Sequence, residues 1–321
     1  MYHPCPTAVF GLHDLWRGFM AALFFHFDKP MMIPSTYGVT PILKRMLPGF
    51  QRINDKTMHV VKLPGLNPQG DNIAFLHGIA ASASSWLPLV KSLLPIAKSF
   101  LIFDLPGHGM SPSAPKQFDC MDAYRCAEQC LLKNLDPEDP NLIIGNSLGG
   151  AFTVKFCLEH PDYAARCVLI SPAGAPFPGS ARDVISPFLA KSLADARQIV
   201  ERVWTNPPKV AYLLAPIIRM TTAQPGFISL MESIMKIDED PNGELAQMLF
   251  TQNQLADFKT PALFIWGKKD RILPSQMCAY YDAYLPDSVT RYFPENLGHC
   301  PQFEAPKEIA AEIMAWRKNL I

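Results

Sequence analysis

Short apolar runs recur along the chain, and they are the feature that most restricts its fold. They cover residues 58–63, 72–78, 100–107, 141–147, 165–174, 261–267 and 289–295. Runs of this length, closed by turn residues, are typical of strands buried on both faces of a parallel sheet. Helical patterns lie between them at 119–134 and 148–159, and another at 306–319 follows the last run and closes the chain. The sequence therefore predicts a doubly wound α/β fold.

Residues 175–256 interrupt this alternation. They contain helical segments separated by Pro-rich turns, no convincing strand, and many Leu, Ile, Met and Phe residues. Such a segment either buries these side chains in its own core or forms a cap with an apolar substrate pocket on its inner face. We predict an α/β core over residues 56–174 and 257–321, with a helical cap over 175–256.

Residues 1–55 are rich in Pro, Met and aromatic side chains and are too few to form an independent core. We predict that they form an N-terminal extension packed on the α/β core. The apolar run at 16–27 is interrupted by Arg17 and is shorter than the roughly 20 residues that cross a bilayer. A short helix packed on the domain is the preferred interpretation, and a helix lying on a membrane surface is the alternative.

The charge balance argues against a nucleic-acid partner, and the cysteine spacing argues against a bound metal. Lys and Arg together number 29, as do Asp and Glu, so the formal net charge is zero. Without a basic excess we expect no nucleic-acid partner, and a neutral chain suits a neutral, apolar substrate. The eight cysteines show no C-x-x-C spacing, and no His or acidic cluster completes a metal site around Cys126 and Cys130. We expect reduced thiols, a cytoplasmic location and no bound metal.

The chain contains one G-x-S-x-G pattern, at residues 145–149. It follows an apolar run and opens a helical pattern, which is the context that a nucleophilic serine on a sharp strand-to-helix turn requires. Glycines on both sides leave room for the turn, and the helix N-terminus favours a developing oxyanion. Ser147 is therefore the predicted nucleophile, and a serine N-cap flanked by glycines is the alternative.

A serine hydroxyl needs a base to take its proton, and we expect the order Ser, Asp, His along the chain. His299 is the histidine that follows a strand late in the chain. Asp270 follows the apolar run that ends at Gly267, and it would orient the imidazole and stabilise its charged form. Asp257 and Asp282 are less well placed. For Asp270, an exposed turn aspartate is the alternative.

The tetrahedral oxyanion of acyl transfer needs two backbone N–H donors. One should be the amide of Leu148, directly after the nucleophile. The other should be the amide of Ile79, in the loop after the apolar run at 72–78. Gly78 and Asn146 precede a donor and the nucleophile, respectively, and we expect them to contact substrate.

Five motifs occur in the order seen in the α/β-hydrolase superfamily, which this chain resembles over residues 56–319. They are FLHG, FDLPGHGMS, GNSLGG, WGKKDRILP and GHCPQFE. The resemblance implies the α/β-hydrolase fold, a mostly parallel eight-stranded sheet with a helical cap inserted before strand seven. It assigns Ser147, Asp270 and His299 to a catalytic triad. It also implies that residues 104–109 form a structural turn.

The preferred interpretation is a carboxylesterase for esters with apolar groups, which forms an acyl-enzyme on Ser147 and needs no cofactor. The chain also resembles the meta-cleavage-product hydrolases, which break C–C bonds, in GNS-x-GG and in the turn at 171–174. It departs from them in the loop at 79–82 and at Cys300.

Arg219 could hold a substrate carboxylate or lie on the surface. A non-catalytic receptor is the third alternative, and the oligomeric state stays open.

Overall fold

The computed structural model describes residues 51–54, 58–112, 114–115 and 117–320. Most of the predicted extension over residues 1–55, including the apolar run at 16–27, lies outside these described residues. Within the described ranges, none of the helices combines the length and the apolar character needed to cross a bilayer.

The described residues form one eight-stranded sheet in which the second strand runs against both of its neighbours. The strands are β1 (Gln51–Asn54), β2 (His59–Pro64), β3 (Asp71–Leu76), β4 (Ala97–Asp104), β5 (Asn141–Asn146), β6 (Arg166–Ile170), β7 (Ala262–Ile265) and β8 (Thr290–Tyr292). Their order is β1-β2-β4-β3-β5-β6-β7-β8, with parallel pairing from β4 to β8. The prediction of a mostly parallel, eight-stranded sheet is confirmed.

The first strand is the one that the sequence pattern does not predict. Residues 51–54 fall within the predicted extension, yet they pair antiparallel with residues 59–62 of β2. A four-residue strand has too few positions to stand out as a periodic pattern. Residues 51–54, which fall within the predicted extension, therefore belong to the sheet.

Helices cover the sheet and fill the segment between β6 and β7. They are α1 (Leu87–Leu93), α2 (Cys120–Asn134), α3 (Leu148–Glu159), α4 (Ala181–Ile185), α5 (Leu193–Val203), α6 (Ala215–Thr222), α7 (Pro225–Ile234), α8 (Gln252–Ala256), α9 (Ser275–Tyr284), α10 (Pro301–Glu304) and α11 (Pro306–Lys318). Every residue of β3 and β5 is buried, and so are the first ten residues of α3. These three elements form the centre of the core.

The segment predicted as a cap, residues 175–256, contains α4 to α8 and, among the described residues, no strand. Apolar side chains of its two longest helices are buried, among them Ile199 and Val200 of α5 and Phe227 and Met231 of α7. Part of the apolar composition of this segment therefore serves its own packing.

The carboxyl ends of β3, β5, β7 and β8 meet at one edge of the sheet because these strands are parallel. In open α/β sheets this edge is where ligands bind. The segments that follow these four strands carry Ile79, Ser147, Asp270 and His299, respectively. The topology thus gathers residues that are far apart in the chain.

Candidate active site

Ser147 is held in a sharp turn between β5 and α3. Its φ of 55° and ψ of −117° are unusual for a residue with a side chain and persist only where the surroundings enforce them. A Cβ atom at Gly145 would lie 2.3 Å from Thr153 Oγ1, and one at Gly149 would lie 2.1 Å from Leu76 O. The two glycines of the G-x-S-x-G pattern are therefore needed for α3 to approach the sheet.

His299 and Asp270 form a buried hydrogen-bonded pair. Nδ1 of His299 lies 2.7 Å from Asp270 Oδ2, and the two side chains are 5% and 3% exposed. The other carboxylate oxygen accepts from the N–H of Ile272 at 2.8 Å and from the N–H of Leu273 at 3.1 Å. Because Asp270 accepts the proton on Nδ1, Nε2 is the ring nitrogen left to exchange a proton with a nucleophile.

The loop after β3, which we call the β3 loop (residues 77–80), packs directly on Ser147. A Cβ atom at Gly78 would lie 2.9 Å from the Cβ atom of Ser147, so a residue with a side chain would push the loop away. The N–H groups of Ile79 and of Leu148, the first residue of α3, donate to no acceptor in the described part of the chain. The two amides predicted for the oxyanion hole are therefore on segments that adjoin Ser147.

The chain that forms this sheet, this turn and the Asp270–His299 pair also matches a known family in its sequence. A profile of the alpha/beta hydrolase family matches residues 73–312, a range that contains Ser147, Asp270 and His299. The chain belongs to the alpha/beta hydrolase family. It is a hydrolase of that family, and the predicted superfamily is confirmed.

A lipase, a dienoate hydrolase and a carboxylesterase are similar to this chain over most of its length. Lipase 1 of Psychrobacter immobilis is 26% identical in an alignment of 267 residues that covers 79% of this chain and 79% of the lipase. The solved 2-hydroxy-6-oxo-6-phenylhexa-2,4-dienoate hydrolase from Rhodococcus sp. strain RHA1 has a TM-score of 0.69 at 20% identity, with 84% of this chain and 98% of that chain covered. The carboxylesterase CesB from Bacillus subtilis has a TM-score of 0.67 at 16% identity, with 95% and 97% covered. At these identities the structural likeness establishes the fold.

Asn146, the last residue of β5, joins the strand that precedes Ser147 to the loop that carries His299. Its Nδ2 donates to His299 O at 3.2 Å and to Ile170 O at 3.1 Å, and its Oδ1 accepts from Cys300 Sγ at 3.5 Å. Asn146 is only 3% exposed. The side-chain amide of Asn146 is therefore bonded within the protein, and its contact with substrate stays a prediction. Gly78, which is also predicted to contact substrate, is buried against Ser147.

Two buried histidines hold the β3 loop. His77 Nδ1 donates to Gly78 O at 2.8 Å, while its Nε2 accepts from Leu105 N–H at 2.9 Å. His108 Nε2 accepts from Ala80 N–H at 3.2 Å. Because each ring accepts at Nε2, both histidines are neutral and carry their proton on Nδ1.

Burial lowers the pKa of both rings. Burial and the neighbouring His77 lower the pKa of His108 to about 3, against the opposing effects of the Pro106 carbonyl and the Asp104 carboxylate. Burial also lowers the pKa of His77. His108 can therefore stay a neutral acceptor for Ala80, whose φ of 59° is strained. The resemblance implies a structural turn at His108, but nothing in the sequence indicates its bond to the β3 loop.

Asp104, at the end of β4, organises the turn over residues 104–109. Its carboxylate accepts from His59 Nδ1 at 2.8 Å, Ala83 N–H at 2.6 Å and Met110 N–H at 3.0 Å. A Cβ atom at Gly109 would lie 2.1 Å from Asp104 Oδ1. The carboxylate is thus enclosed by donors and has a structural position beneath the site.

A carboxylate–histidine cluster lies away from Ser147. Glu128, Glu159 and His160 each bring one potential ligand atom within 4.8 Å of the others. His160 Nε2 is 2.7 Å from Glu128 Oε1, and Glu159 Oε1 accepts from Lys155 Nζ at 2.7 Å. His160 and Glu128 thus pair with each other, while Glu159 pairs with Lys155. Glu159 ends α3, so it lies about 17 Å along the helix from the residue that follows Ser147.

Proposed function

We propose that this hydrolase is a carboxylesterase for neutral esters with an apolar acyl or alcohol group. Ser147 is the nucleophile, His299 the general base, and Asp270 the residue that orients the imidazole. The observation that carries the proposal is the buried 2.7 Å pair of Asp270 and His299 at the sheet edge that holds the strained serine. A serine that only capped a helix would need neither the backbone strain nor this pair.

In this mechanism His299 Nε2 takes the proton of Ser147 Oγ as the oxygen attacks the carbonyl carbon. The N–H groups of Ile79 and Leu148 donate to the oxyanion of the tetrahedral intermediate, where one donor is worth roughly 10²–10³ in rate. His299 then donates its proton to the leaving alcohol. Water, deprotonated by the same imidazole, attacks the acyl-enzyme, and the acid leaves as Ser147 regains its proton.

A cap arginine supports a neutral substrate over a carboxylate-bearing one. Arg219 is the cap arginine that the sequence offers for the carboxylate of a ring-cleavage product, but it is half-buried and its Nε already donates to Lys191 O at 3.1 Å. The similar protein from Psychrobacter is named a lipase, and that name favours an ester bond.

The proposal is tested with p-nitrophenyl esters of graded acyl length and, in parallel, a ring-cleavage dienoate. We expect Ser147→Ala to abolish ester turnover without changing the circular dichroism spectrum, because the hydroxyl is the attacking group. Ser275→Ala, at an exposed serine that begins α9, is the matched control and should keep wild-type rates.

Three outcomes would reject the assignment. Retained ester turnover in Ser147→Ala would show that Ser147 is not the nucleophile. Faster turnover of the dienoate than of every ester would reassign the protein to C–C hydrolysis. If wild-type Ser147 is not labelled by a fluorophosphonate and no substrate turns over, the protein is a receptor with this fold.

A further inference from the structure

Glu304 of α10 connects the loop of the proposed base to the cap. Its Oε1 accepts from the N–H of Gly298, the residue before His299, at 2.6 Å. Its Oε2 accepts from the N–H of Thr205, just after α5, at 2.8 Å. One carboxylate thus satisfies two backbone donors that belong to different parts of the chain, and bonds to a charged acceptor are roughly twice as strong as neutral ones.

The same stretch of the cap, which we call the α5 end (residues 201–205), also contacts the loop of the proposed acid. Arg271, the neighbour of Asp270, donates to Glu201 O at 3.3 Å and to Thr205 O at 3.4 Å. In return, Arg202 Nε donates to Arg271 O at 3.2 Å. The α5 end is therefore bonded to both loops that carry the acid–base pair.

Close packing accompanies these bonds. The ring of Trp204 stacks on that of Phe303, with ring centroids 5.4 Å apart and an angle of 17° between the planes. A Cβ atom at Gly298 would lie 2.9 Å from Glu304 Oε1 and 3.1 Å from Thr205 Oγ1. The base loop therefore has little room to move while Glu304 keeps both of its bonds.

We propose that Glu304 is a positioning residue of this hydrolase. Its carboxylate holds the His299 loop on the α5 end, so that Nε2 stays aligned with Ser147 Oγ during proton transfer. The inference rests on the proposed role of His299 as the base. It makes the cap a support for the acid–base pair as well as a cover for the site.

The test compares Glu304→Gln and Glu304→Asp with Glu308→Gln. A glutamine offers one oxygen to two N–H donors and turns an NH₂ group toward the second, while an aspartate keeps the charge but is too short to bridge both. Glu308 is exposed and accepts one bond, from Tyr292 OH at 2.7 Å, which a glutamine can keep. It is the matched control.

Three readouts are compared: the rate of fluorophosphonate labelling of Ser147, kcat and KM for an ester, and the low-field proton resonance of His299 Nδ1–H. We expect Glu304→Gln to lower the labelling rate and kcat by roughly 10- to 100-fold, with KM within about twofold of wild type. The low-field resonance should broaden. Glu304→Asp should be intermediate, and Glu308→Gln should match wild type in all three.

Two outcomes would overturn the proposal. A raised KM with unchanged kcat and labelling rate would make Glu304 part of substrate binding by the cap. Loss of folded protein in both Glu304 variants would show that the role of Glu304 is purely structural. Failure of the proposed function is distinguishable, because a wild type that cannot be labelled contradicts the serine chemistry, while the resonance of His299 still reports whether Glu304 positions the ring.

Discussion

At the scale of single residues, backbone strain is concentrated where the chemistry is proposed. Among the described residues other than glycine, positive φ angles occur at Ala80, Ser147 and Ser171. These residues follow β3, β5 and β6 at the edge of the sheet that holds the site. Each such conformation costs about 1–3 kcal/mol and persists because neighbouring contacts enforce it.

Replacing Ser147 should separate this strain from the reactivity. Ser147→Gly removes both the hydroxyl and the unfavourable contacts of Cβ, while Ser147→Ala removes the hydroxyl alone. We expect both variants to be inactive. The glycine variant should have a free energy of unfolding higher by about 1 kcal/mol, after the greater entropy of unfolded glycine is included. Urea unfolding of the two variants measures this, and an alanine variant of equal or higher stability would contradict it.

Asp270→Asn should leave the fold intact and remove most of the activity. The amide oxygen can keep the bonds from Ile272 and Leu273, but His299 Nδ1 would then face an NH₂ group. Because that group donates, it favours the tautomer of His299 with its proton on Nε2, which cannot act as the base. We expect kcat for a p-nitrophenyl ester to fall by about 10⁴. Asp257→Asn, at an exposed aspartate, is the control. A fall of less than about tenfold would argue against the role of Asp270.

At the scale of elements, the site depends on the fit of α3 and the β3 loop against the sheet. α3 approaches β3 so closely that the Cβ position of Gly149 is occupied by backbone atoms. The β3 loop is held in turn by His108, whose ring also contacts Phe227 of α7 edge-on, with centroids 5.4 Å apart. A change at either contact should therefore affect an entire element.

Gly149→Ala should strongly destabilise the protein. Its Cβ atom would lie 2.1 Å from Leu76 O, and because both elements are buried, neither can shift without loss of packing. We expect the free energy of unfolding to fall by about 3 kcal/mol or more. Gly179→Ala is the control, because its Cβ atom would meet nothing within 4 Å. Equal unfolding midpoints for the two variants in urea would refute this account of the packing.

The β3 loop should also make stability depend on pH. The pKa of His108 is lowered to about 3 in the folded protein, against 6.5 for an ordinary histidine. Between these values the unfolded chain binds one more proton than the folded protein, so the free energy of unfolding falls by about 1.4 kcal/mol for each unit of pH below 6.5.

We therefore expect His108 to account for a loss of about 2 kcal/mol in the free energy of unfolding between pH 6.5 and about pH 5. His108→Gln should remove that part of the slope, although it lowers stability at neutral pH. Urea unfolding across this range measures both slopes. Parallel slopes for wild type and variant would show that His108 is not buried as a neutral ring.

At the scale of the whole molecule, a buried ion network lies at the end of the sheet opposite the site. Asp71 begins β3 and is fully buried. Its carboxylate accepts from Arg166 Nη2 of β6 at 2.9 Å and from Arg317 Nη2 of α11 at 3.1 Å. The network joins the centre of the sheet to the last helix.

Asp71→Asn should destabilise the protein by about 3–5 kcal/mol, because it leaves two largely buried guanidinium groups without a counter-charge. Glu295→Gln is the control. Its partner Lys268 is 52% exposed and Glu295 itself is 73% exposed, so that loss should stay below about 1 kcal/mol. Urea unfolding compares them, and similar losses would mean that the network adds nothing beyond a surface ion pair.

Predictions from the sequence succeed where the cause is local. The run at 141–146, followed by glycine-flanked Ser147, is a strand closed by a sharp turn, because apolar residues and glycines impose this over a few positions. The alternation of such runs with helices predicts the parallel sheet. The edge strand at 51–54 could not be predicted in this way. It is a strand because it pairs with β2, and its own sequence shows no strand pattern.

The sequence by itself determined the family, seven of the eight described strands in their order along the chain, and the candidates Ser147, Asp270 and His299. Only the tertiary structure decided how Asn146 is used and that Glu304 bridges Gly298 and Thr205. The physical reason is distance along the chain. Motifs and periodicity record interactions between near neighbours, whereas these hydrogen bonds join residues that only the folding of the sheet and the cap brings within reach.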